Sequence, residues 1–349
     1  MNEIIICNRK IGINHPPLVI AEIGINHEGD INKAIRMVHD AHKAGAECVK
    51  FQCHVVEDEM SHRAKETIPA NSDESIYDIM SRNALTKEQS IQLKKLVESL
   101  GMIYLSTPFS RAAADRLESM GVPAYKIGSG ECNNYPLVEH IAKFGKPVIL
   151  STGMNNIDTI RPAVNIFKKY NTPFGLLHCT SMYPTPYDKV HLGAIKQIRE
   201  EFPDAVVGLS DHSLGNYTSY AAIPLGASII EKHFTSDKSW FGSDIPISIN
   251  PEELYDLIHG TRAIYTALGG KKEILKEEQP TIDFAYASVT TIKEVQPGEL
   301  FTENNIWVKR PGTGEIPAAK YKDILGKASL ATIKTDTQVK WSDIEDEQS

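Results

Sequence analysis

The sequence predicts an α/β protein: a (β/α)8 TIM barrel followed by a small β-rich domain. Three observations carry this. Eight short β-rich runs recur, each leading through polar residues into a helix-like stretch. These units fill about 265 residues, close to the ~250 typical of such a barrel. Beyond about Gly269 the texture changes to short β-like runs broken by Pro-Gly turns. A doubly wound open sheet is the runner-up, disfavoured because no glycine-rich dinucleotide loop follows the first run.

The runs are Leu18–Gly24, Cys48–Gln52, Ile103–Thr107, Ala124–Gly128, Val148–Thr152, Gly175–Thr180, Val206–Ser210 and Ile229–Thr235. Helix starts are expected at Asp30, Thr86, Ser110, Asn155 and Asn250-Pro251, because a short polar side chain can cap the free N–H groups of a first turn. Gly269 to Pro280 is charged and reads as a linker, and the β-like runs after it are Ala287–Ile292, Ile306–Lys309 and Ala331–Ile333. The expected division is a barrel over 1–270, a linker over 271–284 and a small domain over 285–349. The last is marginal in size to fold alone.

Bulk composition narrows the function. Hydrophobic content of 41% and charged content of 23% are ordinary for a globular protein. A net charge of -8 disfavours nucleic-acid and anionic-membrane partners, so an anionic substrate needs a local positive site. The five cysteines form no CxxC motif, which suggests a reducing compartment. The apolar run Ile4–Cys7 is too short for a signal-peptide core, and no later run approaches a membrane span. A cytoplasmic location is expected.

In such barrels the active site lies at the C-terminal ends of the strands. Those ends bring Glu22, Lys50, Thr107, Lys126, Ser129, Glu131, Ser151, Thr180, Ser181 and Ser210 to one rim, with His212 and His233 after the last two strands. Two imidazoles on adjacent strands suit a borderline divalent metal, although either alone is also an ordinary locally bonded histidine. Lys50 and Lys126 sit inside apolar runs, where a lysine is expensive unless paired or used. They read as an anion clamp or as an internal ion pair with Glu22. Gly128-Ser129-Gly130 and Ser151-Thr152-Gly153 add hydroxyls and backbone amides of the kind that phosphate sites need. This inventory suits a phosphorylated acid reacting with a carbonyl, where a metal polarises the carbonyl and a carboxylate handles protons.

Ordered motifs then carry a resemblance. Glu22-Ile-Gly-Ile-Asn-His27, Ser106-Thr-Pro-Phe109, Tyr125-Lys-Ile-Gly-Ser-Gly-Glu131, Leu150-Ser-Thr-Gly-Met154, Tyr183-Pro-Thr-Pro186, Gly208-Leu-Ser-Asp-His212, Glu231-Lys-His-Phe234 and Val308-Lys-Arg-Pro-Gly312 resemble the bacterial sialic acid synthase (N-acetylneuraminate synthase) family. The resemblance runs from about residue 15 to the end. It implies condensation of phosphoenolpyruvate with an N-acetylated hexosamine, N-acetylmannosamine first, to N-acetylneuraminate and phosphate. It also implies a barrel plus an antifreeze-like (SAF) domain that caps the partner's active site in a domain-swapped homodimer.

By motif, His212 and His233 would hold a divalent metal, manganese first, with magnesium or cobalt as alternatives. Lys50, Thr107, Lys126, Ser129, Ser181 and Ser210 would bind phosphoenolpyruvate. Asn71, Tyr183, Asp244 and Arg310 would meet the sugar, Arg310 arriving from the partner's small domain. Glu22, Glu131, Lys50 and Lys126 form the catalytic group, with Glu131 the leading acid/base candidate. Lys50-Phe51-Gln52 resembles the legionaminic acid branch, whereas Val56-Glu-Asp-Glu-Met-Ser61 and Asn133-Asn-Tyr-Pro136 resemble the sialic acid branch. A related nonulosonic acid synthase using a diacetamido-hexose is therefore the alternative within the family. Outside it stand a Schiff-base lyase or aldolase with Lys126 as nucleophile, and a barrel scaffold carrying an ice- or carbohydrate-binding module.

Overall fold

All eight predicted runs are strands, and each observed end lies within two residues of the expected one. They are β1 (Leu18–Gly24), β2 (Cys48–Cys53), β3 (Ile103–Pro108), β4 (Tyr125–Ile127), β5 (Val148–Ser151), β6 (Phe174–Cys179), β7 (Val206–Asp211) and β8 (Ile229–His233). The computed structural model describes residues 3–69 and 73–345. Every ladder in the sheet is parallel, in the order β3-β2-β1-β8-β7-β6-β5-β4. β3 and β4 are neighbours without a ladder, so the result is a nearly closed barrel.

Period-two alternation decides what each strand presents inward. Leu18, Ile20, Cys48, Leu105, Ala124, Ile149, Leu177 and Ile229 belong to one apolar cluster at the barrel floor. An N-terminal hairpin, Ile4–Ile6 paired antiparallel with Arg9–Ile11, adds Ile4, Ile6 and Ile11 to it. Two residues beyond members of this floor, on the same strand faces, come Glu22, Lys50, Thr107, Lys126, Ser151, Cys179 and Glu231, all of which line a cavity. The other face of the strands, with Val19, Val49, Phe51, Tyr104, Val207, Leu209 and Ile230, packs against the helices. Gly208 is required by close approach: a Cβ there would lie 2.3 Å from the Ile229 carbonyl oxygen.

The helix starts follow their caps. Asp30 accepts from Asn32 N, Ser110 from Ala113 N, and Thr86 and Asn250 each close a reciprocal capping box. One start is displaced: Asn156, not Asn155, caps the helix Ile157–Lys169. Asn155 instead donates to the carbonyls of Ser129 and Gly153.

The chain divides into two units, residues 1–269 and 270–349. In the second, Ser288–Thr291 pairs antiparallel with Ile306–Lys309, around a core that includes Val289, Phe301, Ile306, Ile316, Ile324 and Val339. The expected strand Ala331–Ile333 is reduced to a single bridge between Val295 and Ile333. The stretch read as a linker carries a helix at Gln279–Ala285. All five cysteines are free thiols. Among the described residues no helix is long and apolar enough to cross a membrane.

Candidate active site at the carboxyl ends of the strands

Four charged side chains from β1, β2, β4 and β8 meet above the apolar floor, all nearly inaccessible to solvent. Lys50 Nζ lies 2.8 Å from Glu22 Oε2 and 3.4 Å from Glu231 Oε1, and donates to Thr107 Oγ1 at 3.3 Å. Lys126 Nζ lies 3.5 Å from the same Glu231 oxygen and donates to Ser151 Oγ at 2.7 Å. Ser210 donates to Glu231 at 3.2 Å. Glu231 Oε2 has no hydrogen-bond partner among the described residues.

The environment separates the two carboxyls. Burial pushes Glu22 up to about 7, against the pull of Lys50. For Glu231, burial is outweighed by Lys126 and Lys50, which hold it below the ordinary carboxylate range. Burial would lower Lys50, but Glu22 and Glu231 outweigh it and raise its pKa. Lys126 is lowered, chiefly by burial. Two lysines thus face two carboxyls, one of which burial disfavours in its charged form, an arrangement suited to an anion.

Beside it lies a cradle of small groups. Gly153 N donates to Ser129 Oγ at 3.0 Å. A Cβ on Gly153 would fall 2.3 Å from Ser181 Oγ and 2.8 Å from Ser129 Oγ, so only glycine lets these hydroxyls converge. Asn155 ties the loops carrying Ser129 and Gly153 together.

The two histidine rings are neighbours, tilted 47° to one another with centroids 5.4 Å apart. Both are buried. His212 Nδ1 donates to the Thr180 carbonyl at 3.0 Å, so in the neutral ring Nε2 is the lone-pair nitrogen; against burial, the neighbouring Cys179 raises this ring's pKa. His233 Nδ1 has no hydrogen-bond partner among the described residues and lies 3.6 Å from Asp244 Oδ2. Burial and then His212 hold His233 well below its usual pKa, so the ring is neutral, as a metal ligand must be. Burial raises Asp244 to about 6. Among the described residues no cluster of three or more His, Cys, Asp or Glu is arranged to hold a metal. His233, with its unpartnered Nδ1, beside His212 is a nitrogen-donor pair of the kind a borderline divalent ion takes.

The remaining expected residues fall as follows. Tyr183 stacks obliquely over His212, centroids 4.2 Å apart. Glu131 follows β4 on a short turn, accepts from Asn134 at 2.5 Å, and is raised by burial. Glu22, Lys50, Thr107, Lys126, Ser129 and Glu131 line one cavity of about 650 Å3 together with Ser181, Tyr183, Ser210, His212, His233 and Asp244. Asn71 lies outside the described residues. Arg310 is exposed on the second unit, just after Ile306–Lys309.

Other lining groups went unread in the sequence. His54 is held between Gln52 at 2.9 Å and Glu59 at 2.8 Å, and stacks on Phe109. Met60, Ile76, Ile79 and Met80, from the segment after β2, give the cavity an apolar wall. Phe51, read as a branch marker, faces the helices and stacks on Tyr104 rather than lining the cavity.

The NeuB family matches residues 37–273, and the SAF domain matches residues 286–345. The chain is 38% identical to N,N'-diacetyllegionaminic acid synthase of Campylobacter jejuni over 93% of this chain and 98% of that one. It is 34% identical to N-acetylneuraminate-9-phosphate synthase of Homo sapiens over 97% and 95% of the two chains. The crystal structure of an N-acetylneuraminic acid synthetase from Leptospira borgpetersenii superposes with a TM-score of 0.73 at 36% identity, covering 80% of this chain and 95% of that one.

Proposed function

The chain belongs to the NeuB family, and from that premise we propose that it condenses phosphoenolpyruvate with N-acetylmannosamine and water to give N-acetylneuraminate and phosphate. The observation that carries this is the buried Lys50–Glu22–Glu231–Lys126 quartet beside a hydroxyl cradle and a histidine pair. Lys50 and Lys126 neutralise the phosphate and carboxylate of phosphoenolpyruvate, and Thr107, Ser129, Ser181 and Ser210 offer hydroxyls to the same groups. C3 of phosphoenolpyruvate forms the new bond to the aldehyde carbon of the open-chain sugar. Water then adds at C2, and phosphate leaves with cleavage of the C–O bond. The water gives up both its protons, one on adding to C2 and one as the C2 hydroxyl becomes the ketone; the aldehyde oxygen takes one and the departing phosphate the other. Glu22 and Glu131, both raised by burial, are suited to these transfers. A divalent ion at His212 and His233, manganese first, would supply Lewis-acid polarisation of the sugar carbonyl.

The acceptor is unphosphorylated in this reading. Lys50 and Lys126 are the only lysines or arginines among the described cavity-lining residues, and one substrate anion occupies both. A second reading, a 6-deoxy diacetamido-hexose leading to a legionaminic acid, is favoured by the apolar wall of Met60, Ile76, Ile79 and Met80 and by the Campylobacter relative. Arg310 of a second copy would reach the N-acyl group, in a homodimer. The test is phosphate release from phosphoenolpyruvate with a panel of hexosamines, with EDTA and manganese add-back. Release with N-acetylmannosamine supports the first reading, and release only with the diacetamido sugar moves the assignment to the second. Full activity in EDTA, with a borohydride-reducible adduct at Lys126, would replace both with the lyase.

A further inference from the structure

Directly behind the two histidines, on the outer face of β7 and β8, lies a charged pair to which no step above assigns a role. Asp211 and Lys232 are register partners, and each is the sequence neighbour of one histidine. Lys232 Nζ lies 2.9 Å from Asp211 Oδ2 and donates to the Ser213 carbonyl at 2.6 Å. Asp211 Oδ2 also accepts from Thr218 at 2.6 Å and Ser219 at 2.8 Å, and Oδ1 accepts from Ser213 N at 2.9 Å. The side chains of Lys232 and Asp211 are 0% and 1% exposed.

The position is anomalous. Nearby outward residues of the same strands, Val207, Leu209 and Ile230, are apolar and pack against the helices. A buried ion pair there stabilises no more than an apolar pair of similar volume, because desolvating two charges consumes the attraction between them. What the network does have is geometry. It grips the backbone on both sides of His212, through Asp211 and Ser213, and joins it to the residue that precedes His233.

We propose that Lys232 and Asp211 are positioning residues that fix the separation of the His212 and His233 imidazoles, and so set affinity for a divalent cation. This rests on the histidine pair being the metal site. Supporting groups behind metal ligands typically change affinity by about 10- to 100-fold when removed.

The experiment uses full-length protein and Mn2+ as the probe. Free Mn2+ is read by electron paramagnetic resonance, and unfolding of the metal-free protein is read by thermal melting. Mn2+ binding by the wild type is measured first, and its absence would remove the metal site itself. Lys232→Met with Asp211→Asn avoids leaving one buried charge unpaired. The double variant is expected to keep a cooperative melt and to bind Mn2+ about 10- to 100-fold more weakly. Thr218→Val, which loosens Asp211 without touching either charge, should weaken Mn2+ in the same direction. Wild-type Mn2+ affinity in either folded variant would overturn the positioning role and leave the pair a structural feature.

Discussion

Lys126 is held by one carboxylate, one hydroxyl and one carbonyl inside the barrel. Replacing it with Met removes a desolvated charge from the anion site while keeping its bulk. The loss should be about 2–5 kcal/mol, raising the Michaelis constant for phosphoenolpyruvate at least roughly 30-fold and that for the sugar far less. Steady-state kinetics with each substrate varied would check this, and an unchanged phosphoenolpyruvate constant would remove Lys126 from the clamp. A different histidine contributes to acid stability. His27 is buried, its Nδ1 accepts from Gly29 N, and burial, with His54 adding to it, holds its pKa at about 4 rather than 6.5. The unfolded chain takes up this proton at higher pH than the folded one. The stability it contributes is therefore complete above about pH 6.5 and is lost as pH falls through 4, on the order of 3 kcal/mol in all. Denaturant melts between pH 4 and 7 should show a shallower acid decline in His27→Gln than in the wild type.

Among the elements, the N-terminal hairpin has a structural part only. Ile11 is fully buried in the barrel floor. Ile11→Ala should cost about 2–5 kcal/mol through the cavity it leaves, with both Michaelis constants unchanged in the folded enzyme. A shift in those constants would mean the floor also shapes the site. The strands themselves were legible because an inward face that is apolar low and ionic high has a simple period. Lys50 and Lys126 stood out by breaking apolar runs. The same alternation, Gly175-Leu177-Cys179, could have placed Cys179 in the cavity. It also turns Phe51 and Lys232 outward, which a reading by motif alone passes over. Asn155 and Asn156 are adjacent capping residues, and only the backbone geometry decides between them. The wall of Met60, Ile76, Ile79 and Met80 went unread, because Met60 directly follows a four-residue helix, Val56–Glu59, and the other three share a helix of only eight residues, Ile76–Asn83, too short for a clear period.

At the scale of the whole molecule, the proposal makes each site the product of two chains. Removing residues after about Thr281 should abolish synthesis even where the barrel remains soluble. Arg310→Ala and His212→Ala should each be inactive alone. Mixed under conditions of proven subunit exchange, they should regain activity, since one site of a mixed dimer has both groups intact. No recovery after exchange would place the complete site within a single chain. The central claim is that phosphoenolpyruvate and an N-acetylated hexosamine condense with loss of phosphate by C–O cleavage. It is tested most directly by running the reaction in 18O-labelled water and analysing phosphate and sugar acid by mass spectrometry. The expected result is sugar-dependent phosphate free of solvent label, in equal amount to a nine-carbon 2-keto acid. Solvent 18O in the phosphate, or phosphate released without the sugar acid, would contradict it.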